Sequence, residues 1–258
     1  LRHISYSFLH LLACPYAAFL RYEGAIRAPA NEYLALGNAL HLALELSYKK
    51  TGQFDAQGAA SIFTTEFHRQ IDDEEIFIGY PKKKKMEAEG INMLALYAHD
   101  VESGKIPATP LDHEVEFKIP FKDIYIVGRI DKVEFDPAIG YDIIDYKSGS
   151  QEPDPWFLRH NIQLTVYAWA CLELYGELPH RVKWHHLRNG KILETERTME
   201  DIEDVKVMIS NAILMDKKEI RHRIFHDQIC KWCDYRGPIC DDKGLEERIL
   251  SERKAKRN

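Results

Sequence analysis

Two β-rich runs, residues 124–135 (IYIVGRIDKVEF) and 141–147 (YDIIDYK), constrain this chain more than any other feature. The turn-forming Asp136-Pro137 and Gly140 lie between them, so the runs are expected to be adjacent strands of one sheet. Side chains alternate across a strand, which places Asp145 and Lys147 on one face and Tyr146 on the other. A neighbouring strand lies about 4.8 Å away, close enough for Asp131 and Asp145 to share a divalent cation. Hard oxygen ligands suit Mg or Mn. Such a cation acidifies water and neutralises charge on a phosphoryl group, and Lys147 would orient or deprotonate that water or stabilise the phosphate. Taken alone, Asp-x-Lys on a strand also fits a surface ion pair worth under about 1 kcal/mol.

The rest of the pattern supplies helices. Ser5 and Ser7 precede an apolar run at 8–12 that breaks at Cys14-Pro15. Helical periodicity follows at about 31–50, 58–70 and 86–101, then again at 156–175 and 199–217. Asn189-Gly190 between two strand-like runs marks a hairpin. Helices, a β meander, a helix, a hairpin and a helix make an α/β chain with a central sheet, and 258 residues suit one domain.

With 45% hydrophobic and 29% charged residues the composition is that of a soluble globular protein. No apolar run reaches the roughly 20 residues of a membrane span. No basic stretch followed by an apolar core opens the sequence, so a cytoplasmic or nucleoid-associated location is expected, in a bacterial, archaeal or viral setting. The net charge of -6 argues only weakly against a nucleic-acid partner, because local basic clusters can still hold a strand. Lys82 to Lys85 and the tail residues Arg253, Lys254, Lys256 and Arg257 are candidates for such clusters; the plainer reading is a solvated loop and a frayed tail.

Four short motifs occur in one order: GNALH (Gly37 to His41), GRID (Gly128 to Asp131), DYK (Asp145 to Lys147) and QLTVY (Gln163 to Tyr167). In the last, Gln and Tyr stand at i and i+4 on one helical face. Together they resemble the PD-(D/E)xK nuclease superfamily in its RecB-like branch. The resemblance implies a restriction-endonuclease-like core with a central mixed sheet flanked by helices, joined to a helical N-terminal part and a cysteine-bearing C-terminal end. It implies hydrolysis of DNA phosphodiesters with Mg or Mn. His41, Asp131, Asp145 and the Tyr146 carbonyl would ligate metal, Lys147 would position the nucleophilic water, and Gln163 and Tyr167 would order the scissile strand.

Cysteines stand at 14, 171, 230, 233 and 240. Without a sign of export they are read as ligands or core residues rather than disulfides. Cys230, Cys233 and Cys240 form a compact thiol group, Cys14 at its helix break is the natural fourth, and Cys171 within an apolar helix reads as core. Four thiolates suit zinc or an iron-sulfur cluster, and spacing leaves that choice open. One cysteine before the nuclease core and three after it resembles the 4Fe-4S staple of a RecB-like subset that includes the AddB nuclease domain and the iron-sulfur CRISPR adaptation nucleases. The last interval is six residues here, where five is commoner in that subset.

The resemblance implies an exonuclease preferring single-stranded DNA ends, since a staple enclosing the site favours a threaded end. A CRISPR adaptation nuclease that trims prespacers beside integration proteins shares the same chemistry. A catalytically silent DNA-binding scaffold subunit is the reading from another class, and the intact His, Asp, Asp, Lys set speaks against it. No Walker phosphate loop is present, so any helicase motor would be a partner chain.

Overall fold

The computed structural model describes residues 2–11, 13–49, 52–217, 221–231 and 233–257. The chain runs β1 (Arg2–Ile4), α1 (Tyr6–Leu11), α2 (Pro15–Ala18), a π-helical turn (Phe19–Glu23), α3 (Glu32–Lys49), α4 (Ala56–Asp73) and α5 (Tyr80–Glu102). It continues as β2 (Asp112–Phe121), β3 (Ile124–Asp136), β4 (Gly140–Lys147), α6 (Pro155–Arg159), α7 (Ile162–Tyr175), β5 (Arg181–His186) and β6 (Lys191–Thr195). Last come α8 (Met199–Lys217), α9 (Asp227–Lys231), α10 (Pro238–Asp241) and α11 (Leu245–Arg257). These elements form two compact units, one of residues 30–205 and one of residues 2–29 with 206–258. Among the described residues no helix is long and apolar enough to cross a membrane.

The first unit holds a mixed sheet in the order β2-β3-β4-β5-β6, with β4 and β5 parallel and the other pairs antiparallel. A parallel pair needs a crossover, supplied here by α6 and α7. The hairpin expected at Asn189-Gly190 joins β5 to β6, with Gly190 at φ 69° and the Lys191 amide donating to Asn189 Oδ1 at 3.0 Å. α8 opens on a reciprocal cap: the Thr198 amide donates to Asp201 Oδ2 at 2.7 Å and the Asp201 amide to Thr198 Oγ1 at 3.3 Å.

α5 starts earlier than its apolar periodicity indicates. Pro81 fits the first turn of a helix, where its missing N–H costs nothing, and lysine is a good helix former. Lys82 to Lys85 are therefore helical rather than a loop, and three are ion-paired: Lys82 with Glu32, Lys83 with Asp72 at 3.6 Å and Lys85 with Glu89 at 3.9 Å.

α3, α4 and α5 bury their apolar stripes, among them Leu40, Leu44, Phe63, Phe67 and Leu94, with Ile144 and Tyr146 of the sheet. That core contains a chain of polar groups. Tyr97 Oη lies 3.1 Å from Tyr48 Oη and 3.0 Å from Tyr146 Oη, and the buried Lys132 donates to it at 3.3 Å. His185 stacks on Tyr97, and among the described residues its Nε2 has no hydrogen-bond partner. Burial first, and the Lys132 ammonium second, push His185 down to about 3.

Folded His185 thus stays neutral where an unfolded histidine, near 6.5, takes up a proton. Stability present above that pH is lost as pH falls toward 3, at about 1.4 kcal/mol per pH unit. Denaturant unfolding at neutral pH and about one unit below 6.5 should show this loss, and His185→Phe, which keeps the stack, should remove that part of the slope. Equal slopes for the two proteins would exclude His185 as its source.

The second unit gathers residues from both ends of the chain. Cys14, Tyr16, Phe19, Leu20, Tyr235 and Ile249 are buried together, with Cys233, Cys240, Ile239 and Leu250 packed against them. Arg221 donates to Glu23 at 2.9 Å and Arg253 also pairs with Glu23; burial raises that carboxyl, but the two arginines overcome it and hold it low. Arg223 donates to Tyr16 Oη at 2.9 Å, and Tyr235 Oη donates to the Ile26 carbonyl at 2.9 Å. The charged tail is helical as α11 rather than frayed, while the side chains of Lys256 and Arg257 lie outside those described.

Candidate active site

The β2–β3–β4 meander and α3 and α7 position the site. Asp131 lies near the middle of β3 and Asp145 near the end of β4, with 7% and 2% of their surfaces exposed. Asp131 Oδ2 accepts from the Tyr146 amide at 2.7 Å, which fixes the carboxylate across the strand pair. Its Oδ1 lies 3.6 Å from His41 Nδ1. His41 reaches it from α3, one helical turn beyond Gly37. A side chain at Gly37 would come within 3.3 Å of Ser148 Oγ just after β4, so the glycine permits the helix's close approach.

Sequence reasoning missed Glu114. Its Oε1 is 3.6 Å from His41 Nδ1, and His41, Glu114 and Asp131 bring one ligand atom each within 4.8 Å of one another. The register explains its position. Phe121 pairs with Ile124 around a two-residue turn, Lys122-Asp123, and His113 with Lys132 and Val115 with Ile130 farther along, so Glu114 falls opposite Asp131. Glu114 departs from the ladder there with φ 52°, a left-handed value costly for a residue with a Cβ. Counting back from a tight turn at Lys122-Asp123 would have found it, but Lys-Asp lacks the Asn-Gly signature that marks such turns.

The electrostatics suit a cation. The Asp131 carboxyl is held well above the usual carboxylate range: burial raises it most, Asp145 and Glu114 add to that, and His41 and the Tyr146 amide oppose it. Burial alone would lower His41, but Asp131, Glu114 and Asp145 raise it above the usual imidazole range. A nitrogen donor among mutually repelling, desolvated carboxylates is a donor set that a divalent metal would relieve. Arg129 also pairs with Glu114.

Lys147 and Asp145 share a face as the alternation requires, with Nζ 2.5 Å from Asp145 Oδ2. Lys147 also donates to Gln163 Oε1 at 3.1 Å, and Gln163 Nε2 donates to Tyr167 Oη at 3.0 Å. The QLTVY pair on α7 is thereby joined to the Asp-x-Lys pair on β4. Tyr167 is 5% exposed and meets Phe117 edge-on. The Tyr146 side chain points to the other face, into the tyrosine chain of the core, where its ring also meets His41 edge-on, while its backbone amide faces Asp131.

Four of the five cysteines lie in the second unit. Cys14 precedes the first residue of α2, Cys230 lies in α9, Cys233 follows in a turn whose amide donates to the Cys230 carbonyl at 3.3 Å, and Cys240 lies in α10. Cys14 is buried and the other three are half-buried, all as free thiols. Burial raises Cys233, with Cys14 and Cys230 adding to it; burial also raises Cys240, against the pull of the Arg223 guanidinium. Cys171 is fully buried within α7 in the first unit, as a core residue.

The family described as the PD-(D/E)XK nuclease superfamily matches residues 3–241. Among solved structures, a protein of Eubacterium rectale described as a candidate exonuclease is similar, with 16% identity, a TM-score of 0.61, and coverage of 92% of this chain and 88% of that one. That likeness concerns the fold. A second structure, SSO0001, is 13% identical over 83% of this chain and 88% of that one, with a TM-score of 0.38, too low to bear on the fold. No curated protein matches the sequence. A family match across nearly the whole chain, over the sheet and motifs just described, means that this chain belongs to the PD-(D/E)XK nuclease superfamily.

Proposed function

We propose that the chain is an exonuclease that hydrolyses phosphodiester bonds at single-stranded DNA ends with Mg or Mn. The observation that carries this reading is the convergence of His41, Glu114 and Asp131 within 4.8 Å, beside the Asp145–Lys147 pair. His41, Glu114, Asp131, Asp145 and the Tyr146 carbonyl would hold the metal. The chemistry that such a cation supplies is acidification of a water and neutralisation of phosphoryl charge.

The chain's own groups supply the rest. Asp145 and Gln163 fix the Lys147 ammonium, so its proton points where a water or phosphate oxygen is to be held. Gln163 and Tyr167 form a polar edge along α7 against which the scissile strand is ordered. His41 is held between Asp131 and Glu114, which keeps its ring directed at the carboxylates.

We assign Cys14, Cys230, Cys233 and Cys240 to a 4Fe-4S cluster acting as a structural staple of the chain ends. The support is their grouping in one small unit built from both ends of the chain.

Linear and closed circular single-stranded DNA of equal sequence test the nuclease reading. With Mg or Mn the linear form should be degraded to short products and the circle should persist, and a chelator should stop the degradation. Cutting of the circle at the linear rate would make the enzyme an endonuclease. No cutting of either form, with either metal, would overturn the nuclease assignment.

A further inference from the structure

We infer that the corner formed by α6, with Trp184 of β5, is a stacking platform for unpaired bases, built from Trp156, Phe157 and Trp184. The inference rests on the reading that the adjacent site cuts DNA, and it names the form of DNA that the enzyme grips.

The platform begins at the candidate active site. Trp184 stands in register with Asp145 on the neighbouring parallel strand, hence on the same face, and Lys147 Nζ lies 5.2 Å from the centre of its ring. The Phe157 ring follows at 6.1 Å from Trp184, tilted by 31°. Next to it in sequence, Trp156 stacks on His160 with centroids 4.5 Å apart and planes 28° apart. Trp184 and Phe157 thus lead outward from Lys147, and Trp156 presents a second ring on the same short helix. Trp156 is 70% exposed and Phe157 47%, a large apolar area to leave in water.

The backbone that carries Trp156 and Phe157 is well anchored. Asp154 caps α6 by accepting from the Phe157 amide at 2.8 Å. The buried Arg197 then ties α6 to α7, donating to the carbonyls of Leu158 at 3.0 Å and Asn161 at 3.2 Å and to Thr165 Oγ1 at 2.7 Å. Arg159 bonds Asp201 at 2.8 Å on the same corner. The exposed rings therefore ride on the base of the helix that carries Gln163 and Tyr167. Flat aromatic side chains with only two rotatable bonds bind at low entropic cost.

Bases offer the matching chemistry. Every base has a π-face, so stacking tolerates any sequence, but duplex DNA covers those faces with neighbouring pairs. Only an unpaired strand can lay bases on Trp156 and Phe157 while its phosphate reaches Lys147.

Fluorescence anisotropy of a labelled oligothymidylate, with chelator present so that nothing is cut, tests the inference on the full chain. Trp156→Ala is expected to weaken single-strand binding about tenfold and Phe157→Ala several-fold, while Trp156→Phe retains most of the affinity. Binding of a duplex of equal length should not change. Moving one abasic position along the strand should locate a base whose loss weakens the wild-type protein but not the Trp156→Ala variant. Wild-type affinity in both alanine variants, a parallel loss for duplex, or an abasic scan without a sensitive position on the wild-type protein would each overturn the platform; the first would leave the rings to another protein. Failure of the nuclease reading shows separately, as wild-type protein that cuts no DNA with Mg or Mn.

Discussion

Lys147→Ala is expected to slow DNA cleavage by about a hundredfold to ten-thousandfold while DNA binding stays close to wild type. The asymmetry follows from where Lys147 sits. Its ammonium is held by Asp145 at 2.5 Å and Gln163 at 3.1 Å, beside the His41, Glu114 and Asp131 cluster, while the proposed grip on the bases lies on the rings of Trp184, Phe157 and Trp156. On the proposed reading, removing it would delete a proton and a charge at the reacting phosphate, where the rate is set. Lys147→Arg should not restore the rate, because a guanidinium is wider and does not give up its proton near neutral pH. Asp145, at 2% exposure, loses its partner in the alanine variant, so a melting curve must accompany the kinetics. Single-turnover cleavage and anisotropy separate the two effects. Cutting at the wild-type rate would remove Lys147 from the chemistry, and an equal fall in binding would recast it as a strand-holding residue.

Cys233→Ser is expected to act through stability, lowering the melting temperature by about 10 °C or more and lowering solubility before any change in chemistry. The second unit has a small core, built on Tyr16, Phe19, Leu20, Tyr235 and Ile249, and units of that size commonly need a staple. A cross-link from Cys14 to the 230–240 segment closes a loop of over two hundred residues. In the chain-entropy account a closure of about 100 residues is worth about 4.7 kcal/mol, and the value grows only slowly with length. The variant should also lose the broad visible absorption and the iron of anaerobically purified protein. Cys171→Ala, in the core of α7, should keep both. An unchanged melting curve with complete loss of activity would sink the staple, and a colourless protein rich in zinc would replace iron-sulfur with zinc.

Much of the site was legible because its residues sit in motifs whose order matters more than their individual content. His41, Asp131, Asp145, Lys147 and Gln163 each have an ordinary alternative reading, and only their sequence order and strand parity bring them to one place. The sheet was legible for a similar reason: the two runs around Asp136-Pro137 alternate cleanly, and Asn189-Gly190 marks its own turn. Where the signal was weak, tertiary context decided. Four consecutive lysines after a proline look like a solvated loop, yet they open α5 because the first turn of a helix tolerates proline and Glu32 and Asp72 balance the charge. Glu114 was hidden because its placement depends on register, fixed by an unmarked turn, and on a backbone conformation that no sequence pattern announces.

That turn gives the β2–β3 hairpin a role its position conceals. Lys122-Asp123 lies at the far tip of the meander, where an inserted residue would ordinarily be harmless. Here the tight two-residue turn helps hold the register that places Glu114. A one-step slip of β2 against β3 would turn the Glu114 carboxylate to the opposite side of the sheet, away from His41 and Asp131. A tip that keeps its two-residue turn keeps Glu114 beside the other members of the candidate site, and loosening that turn would disturb the cluster without altering any of its side chains.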